Sequence, residues 1–206
     1  MSRVNLYGNK ARVITSCLIS ALLLYGTVGF PVESVRAEAP FCEIDLGGLV
    51  SCTISLVLEE AENISEQTLT VPLPGVDPSN PAKVQLITIK GFLENHTDSD
   101  ACGGRVDAYN GWGTHVFYYE SIAAYGYDGR QIQWVEGFSG GEAYEEWNLE
   151  NENAGGYPTV MPSTQAYFNA YGDFGSWHDA IRAGAKEKLN GNGTCDVEFT
   201  WKQTCC

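Results

Sequence analysis

Basic residues are scarce once the first 37 positions are set aside: eight Lys and Arg face 25 Asp and Glu, a net charge of −17 with histidine neutral. Such a surface repels phosphate backbones and anionic headgroups, which argues against nucleic acid and membrane partners. No Cys-x-x-Cys pair is present, and none of the three histidines stands at ligand spacing from a cysteine or from another histidine, so the usual zinc sites are excluded. The glycine-flanked Ser139 in "FSGGE" lacks the elbow pattern of a Ser-His-Asp hydrolase and reads as a turn. Internal repeats, heptads and low-complexity tracts are absent, and aromatic residues are too abundant for a disordered chain.

Uncharged apolar sequence of any length occurs once, at the start. Met1 to Arg12 carries Arg3, Lys10 and Arg12 with no acid, and Val13 to Phe30 is uncharged. Pro31 and the small-residue exit at Ala37 complete the pattern of a secretory signal peptide over residues 1–37, giving a secreted protein, extracellular or periplasmic. The remaining 169 residues suit one domain, 38–206, expected to act as a monomer and free of the membrane after cleavage. Of seven cysteines, Cys17 falls in the leader and six remain: Cys42, Cys52, Cys102, Cys195, Cys205 and Cys206. In an oxidising compartment these predict three disulfides. A bond between adjacent Cys205 and Cys206 would be strained, so each is expected to reach a distant partner.

Period-two alternation dominates the chain. "CDVEFTWKQ" places Cys195, Val197, Phe199 and Trp201 on one face, so the Cys195 bond should cross the core or reach a neighbouring strand. "QTLTVPL" reads as an edge strand because Pro72 lacks a ladder donor. Cys42 and Cys52 flank Gly47-Gly48 and can pair only around a longer or bulged loop. The segment from Gly140 to Pro162 is acidic and loop-like. "SWHDAIRAGAKEKLNGNG" predicts a helix, with Ser176 and Asp179 as a capping box and Trp177, Ile181, Ala185 and Leu189 as its stripe. The expected fold is a disulfide-stapled β-sandwich of jelly-roll type, mainly β, with one packed α-helix near the C-terminus.

Functional candidates concentrate in "THVFYYESIAAYGYDGRQIQWVEGF". A two-residue Asp128-Gly129 turn would set Tyr125 opposite Ile132 and Ala123 opposite Trp134. One face then carries His115, Tyr119, Tyr125, Trp134 and Glu136 beside Phe117 and Phe138. Aromatic cross-strand pairs are ordinary sheet packing; the functional alternative is a ligand-binding face where rings stack on sugars and polar groups fix hydroxyls. That alternative gives a carbohydrate-binding module with an extracellular glycan as partner. A glycoside hydrolase with Glu136 as one of two acids is the second reading, although the same parity puts Glu120 on the opposite face. A secreted toxin, inhibitor or host-interaction protein is the third. No cofactor is indicated beyond a structural calcium among the acids of "NHTDSD" or "GGEAYEEWNLENENAGG". Asn63, Asn95 and Asn192 begin N-glycosylation triplets.

Overall fold

Alternating burial along successive segments builds twelve strands in the computed structural model, which describes residues 36–37, 40–45, 48–58, 64–95, 99–156 and 161–205. They are β1 (Arg36–Ala37), β2 (Phe41–Ile44), β3 (Val50–Leu58), β4 (Ile64–Pro72), β5 (Val84–Asn95) and β6 (Asp100–Asn110). The second half supplies β7 (His115–Tyr127), β8 (Ile132–Ala143), β9 (Asn148–Gly155), β10 (Gln165–Gly175), β11 (Ala180–Asn190) and β12 (Cys195–Cys205). All pairings are antiparallel. One sheet runs β4-β5-β6-β7-β8. The other runs β1-β3-β12-β11-β10-β9, with β2 also on β3. The expected leader lies outside the described residues except for Arg36 and Ala37, which pair with Val57 and Leu56.

The two sheets share one apolar interior, to which β3, β5, β7, β10, β11 and β12 offer roughly every second side chain, while β2 and β9 stay largely exposed. On β3 these are Val50, Cys52, Ile54, Leu56 and Leu58; on β12 they are Cys195, Val197, Phe199 and Trp201, as the sequence alternation requires. Rings from both sheets meet at Phe117, which stacks on Phe174 at 4.0 Å and on Trp201 at 5.6 Å between centroids. Pro72 closes β4, and β4 is the edge strand its proline predicts.

Two expectations about the fold are corrected. Apart from the pairing of β1 with β3 and the return of β12 to β3, strands adjacent in each sheet follow one another in sequence. That is a pair of meanders and lacks the interleaved Greek keys of a jelly roll. No helix occurs among the described residues, and the predicted helix is the turn 176–179 followed by β11. The reason is geometric. Residues four apart share a face in a helix and in a strand alike, so Ile181, Ala185 and Leu189 fit both. Ala183 and Glu187 between them are also buried, which is strand periodicity. The Ser176 hydroxyl does accept the Asp179 amide at 3.2 Å, but it shapes a hairpin turn that leaves Trp177 exposed. The acidic segment is likewise ordered: β9 pairs with β10 from Gly155 opposite Asn169 to Asn148 opposite Gly175.

Two disulfides pin this arrangement. Cys42 and Cys52 stand directly opposite in the β2–β3 ladder, where Asp45 accepts the Leu49 amide and Gly48 takes φ +81° to lengthen the turn. Cys102 on β6 joins Cys195 on β12, linking the sheets through the core. Those four cysteines are therefore committed to one another. The distant partners expected for Cys205 and Cys206 are not among them, and the side chains of that terminal pair lie outside the described residues. The cross-sheet bond spans 93 positions and the hairpin bond ten. On loop-closure entropy, Cys102→Ala with Cys195→Ala should cost roughly 5 kcal/mol and Cys42→Ala with Cys52→Ala about 3 kcal/mol. Urea denaturation of the two double variants checks the order, and a larger loss from the hairpin pair would contradict it.

Candidate functional site

The β7–β8 hairpin departs from its expected register at both ends. Its turn is four residues long, since the Asp128 amide donates to the Gln131 carbonyl at 3.0 Å. Asp128 Oδ1 accepts the amides of Arg130 and Gln131, which holds its carboxyl below the usual carboxylate range, and Oδ2 accepts Gln133 Nε2 at 2.9 Å. Gln133 is the extra residue of a β-bulge: Tyr127 pairs with Ile132, but Gly126 pairs with Trp134. An odd insertion flips every later side chain to the other face. Tyr119 and Tyr125 therefore point into the core and are fully buried, while Trp134, Glu136 and Phe138 point out. The predicted five-residue face does not exist as one surface, and Tyr119 and Tyr125 are packing residues.

A second bulge acts on His115. Ala108 pairs with Phe117 but Tyr109 pairs with His115, leaving Val116 as the extra residue and turning His115 to the outer side. The outer face of the five-stranded sheet thus collects His115, Trp134 and Glu136 in two patches. Bulges commonly re-aim side chains in this way beside functional sites.

The first patch follows β8. Trp134 stands opposite Gly126, and its indole lies where a side chain at 126 would be, so one ring face rests on backbone and the residue is 40 % exposed. Phe138, 59 % exposed, stands opposite Ile122 and brings only the tip of its ring near Gly140. Exposed Glu136 projects between the two rings, opposite Ala124. Strand geometry sets the rings about 13 Å apart. The result is two exposed aromatic side chains on one face, Trp134 braced over Gly126 and Phe138 more open, with a carboxylate between them.

The second patch is polar and was missed by the sequence reading. Asp107 Oδ1 accepts Arg105 Nε at 2.9 Å and Nη2 at 2.6 Å, and His115 Nε2 lies 3.0 Å from the same oxygen but off hydrogen-bond alignment. Partial burial works against the Arg105 charge, yet Asp107 more than offsets it and holds the guanidinium firmly protonated. The guanidinium covers the Tyr118 ring at 3.7 Å, and the His115 ring sits 5.1 Å from both Tyr109 and Tyr144. Tyr144 donates to Glu142 Oε2 at 3.2 Å; burial and then that carboxylate raise its phenol above the usual range. Arg105, Asp107 and Tyr118 alternate with core residues along their strands, a signal that becomes readable only once the bulge at Val116 is known.

Glu120 and Glu136 share the outer face after all, but Glu120 pairs with Gly140, four positions along β8 from Glu136, about 14 Å away by strand spacing. That exceeds the roughly 5–10 Å that glycoside hydrolysis requires. Glu120 and Glu142 are closer neighbours, but Glu120 faces Arg105 and Glu142 holds Tyr144. Among the described residues no group of three or more His, Cys, Asp or Glu is placed to hold a metal, so the acids of the β8–β9 segment do not converge as a calcium site. Also among the described residues, no helix is long and apolar enough to cross a membrane.

Asp107→Asn should loosen Arg105 and cost about 1–3 kcal/mol, the range for hydrogen bonds to charged groups. Urea unfolding reads this directly, and a loss below about 0.5 kcal/mol would mean the patch rides on the sheet without bracing it. Compared with known protein families, curated proteins and solved structures, the chain matches none.

Proposed function

We propose that this chain is a secreted, extracellular carbohydrate-binding module whose ligand is a neutral glycan lying along β8 on the outer face of the five-stranded sheet. The carrying observation is that Trp134 packs over Gly126 while staying 40 % exposed, with the still more exposed Phe138 four residues along the same face. Exposed rings of this kind present the apolar surface on which pyranose faces stack, and Glu136 between them offers acceptors for hydroxyl groups. The charge of −17 beyond residue 37 disfavours sulfated or uronic acid polymers, which selects neutral sugars. His115, Arg105 and Tyr144, farther along the same face, supply donors for a longer chain. The basic, apolar leader pattern and the two disulfides support an oxidising, extracellular destination. Among the described residues, the hydrolase reading through Glu136 has no second acid on this face within reach, Glu120 being about 14 Å away by strand spacing.

Two substitutions separate binding from folding. Trp134→Ala removes a surface ring and should abolish binding on an array of neutral oligosaccharides, with the melting temperature changed by only a few degrees. Gly126→Ala keeps the tryptophan but puts a methyl group where its ring lies, so the indole must swing away and affinity should fall at least tenfold. Calorimetry with the best array ligand checks both. Unchanged affinity in Trp134→Ala, or no neutral glycan bound by the parent protein, would contradict the proposal.

A further inference from the structure

Glu187 occupies the middle of β11, between Phe168 of β10 and Val197 of β12 in the pairing, with its side chain inside the sandwich and 0 % exposed. No well-aligned hydrogen bond reaches either carboxyl oxygen or the enclosed hydroxyls of Ser121 and Tyr119 on β7, whose strand packs against β11; Ser121 lies near enough to Glu187 to favour its charge without closing an aligned bond. Buried polar atoms without partners are rare enough that four in one place ask for an explanation.

Among the described residues, no compensating charge acts on Glu187. β10 and β12 present only apolar side chains at this level, and β6 presents the disulfide-bonded Cys102 with Gly104 and Val106. From β7 come Ser121 and Tyr119, whose phenol is itself pushed up, chiefly by burial. The outlying charge that reaches this cluster is Glu152 of β9, hydrogen-bonded to Ser139 of β8, and it is negative. An ionised Glu187 would be a buried, unpaired charge, a far costlier state than the neutral acid.

We infer that Glu187 is a proton-binding site of the folded core, so that the sandwich is most stable in mildly acidic surroundings. Burial pushes the carboxyl up to about 7, with the Ser121 hydroxyl drawing it partly back. Because the folded value lies above the unfolded one, the stabilisation is complete below about 4.5 and is lost as pH rises through about 7. One proton is linked to unfolding in that window, so the unfolding constant rises about tenfold per pH unit and levels off above it. Asp179, raised to about 6 by burial against the pull of its Gln203 partner and Lys83, adds a loss of the same sign that ends sooner. The interval between about 6 and 7.5 therefore belongs to Glu187.

Urea unfolding of the full chain across pH 5 to 8.5 tests this beside Glu187→Gln and Asp179→Asn. The parent midpoint should fall between pH 6 and 7.5, Asp179→Asn should keep that fall, and Glu187→Gln should be flat there. A flat parent profile, or an equal fall in Glu187→Gln, would overturn the inference. Should Glu187→Gln not fold, infrared difference spectra of the folded parent still decide. A protonated carboxyl band disappearing near pH 7 is expected, whereas titration only near pH 4, as for exposed acids, would overturn it. The inference stands apart from the saccharide reading and survives or fails without it.

Discussion

One extra residue in β8 decides what the outer face carries. Gln133 bulges from the ladder, the side-chain period of two is broken, and Trp134, Glu136 and Phe138 turn from the interior to the surface. Asp128 holds this geometry with one carboxylate, accepting two turn amides on one oxygen and the Gln133 side chain on the other. At the other end of β7 the Val116 bulge does the same for His115. Without these two insertions the rings and the imidazole would face a core already filled by Phe117, Tyr119 and Tyr125.

The inner and outer faces of β7 divide the molecule's chemistry. Outward, Tyr118 lies under the Arg105 guanidinium that Asp107 holds. Inward, Ser121 and Tyr119 meet the enclosed Glu187, the least ordinary residue of an otherwise apolar core. A packed interior tolerates that carboxyl because a proton neutralises it, and because the Cys102–Cys195 bond holds the sheets together at β6 and β12. An acidic surface and an acid-stabilised core act in the same direction, since protonation also relieves the repulsion among surface carboxylates.

Much of the architecture was legible in the residues, and the failures share a cause. Cys195, Val197, Phe199 and Trp201 declared their face by alternation, Pro72 marked an edge, and the Cys42–Cys52 pair followed from a lengthened turn. The helix expected over Trp177 to Leu189 failed because a spacing of four is twice the strand period and also close to one 3.6-residue helical turn, so the stripe alone does not separate a helix from a strand paired with β10 and β12. The ligand face failed for a related reason. Asp128-Gly129 is a strong two-residue turn signal, but the Asp128 carboxylate is satisfied by a longer turn and a bulge that no local pattern announces. Arg105 and Asp107 are not singled out by the sequence because unbroken alternation along β7 puts their neighbour His115 on the inner face. The meander order was hidden because alternation fixes faces and leaves neighbours open.

The register of the β7–β8 hairpin is thus the claim on which the outer face depends, and cross-strand nuclear Overhauser effects measure it without any ligand. The account predicts backbone contacts between Tyr125 and Val135 and between Ala123 and Gly137, the pairs that stand opposite one another in the bulged hairpin. Contacts between Tyr125 and Ile132 and between Ala123 and Trp134 would contradict it, returning Trp134 to the core and removing the proposed binding face.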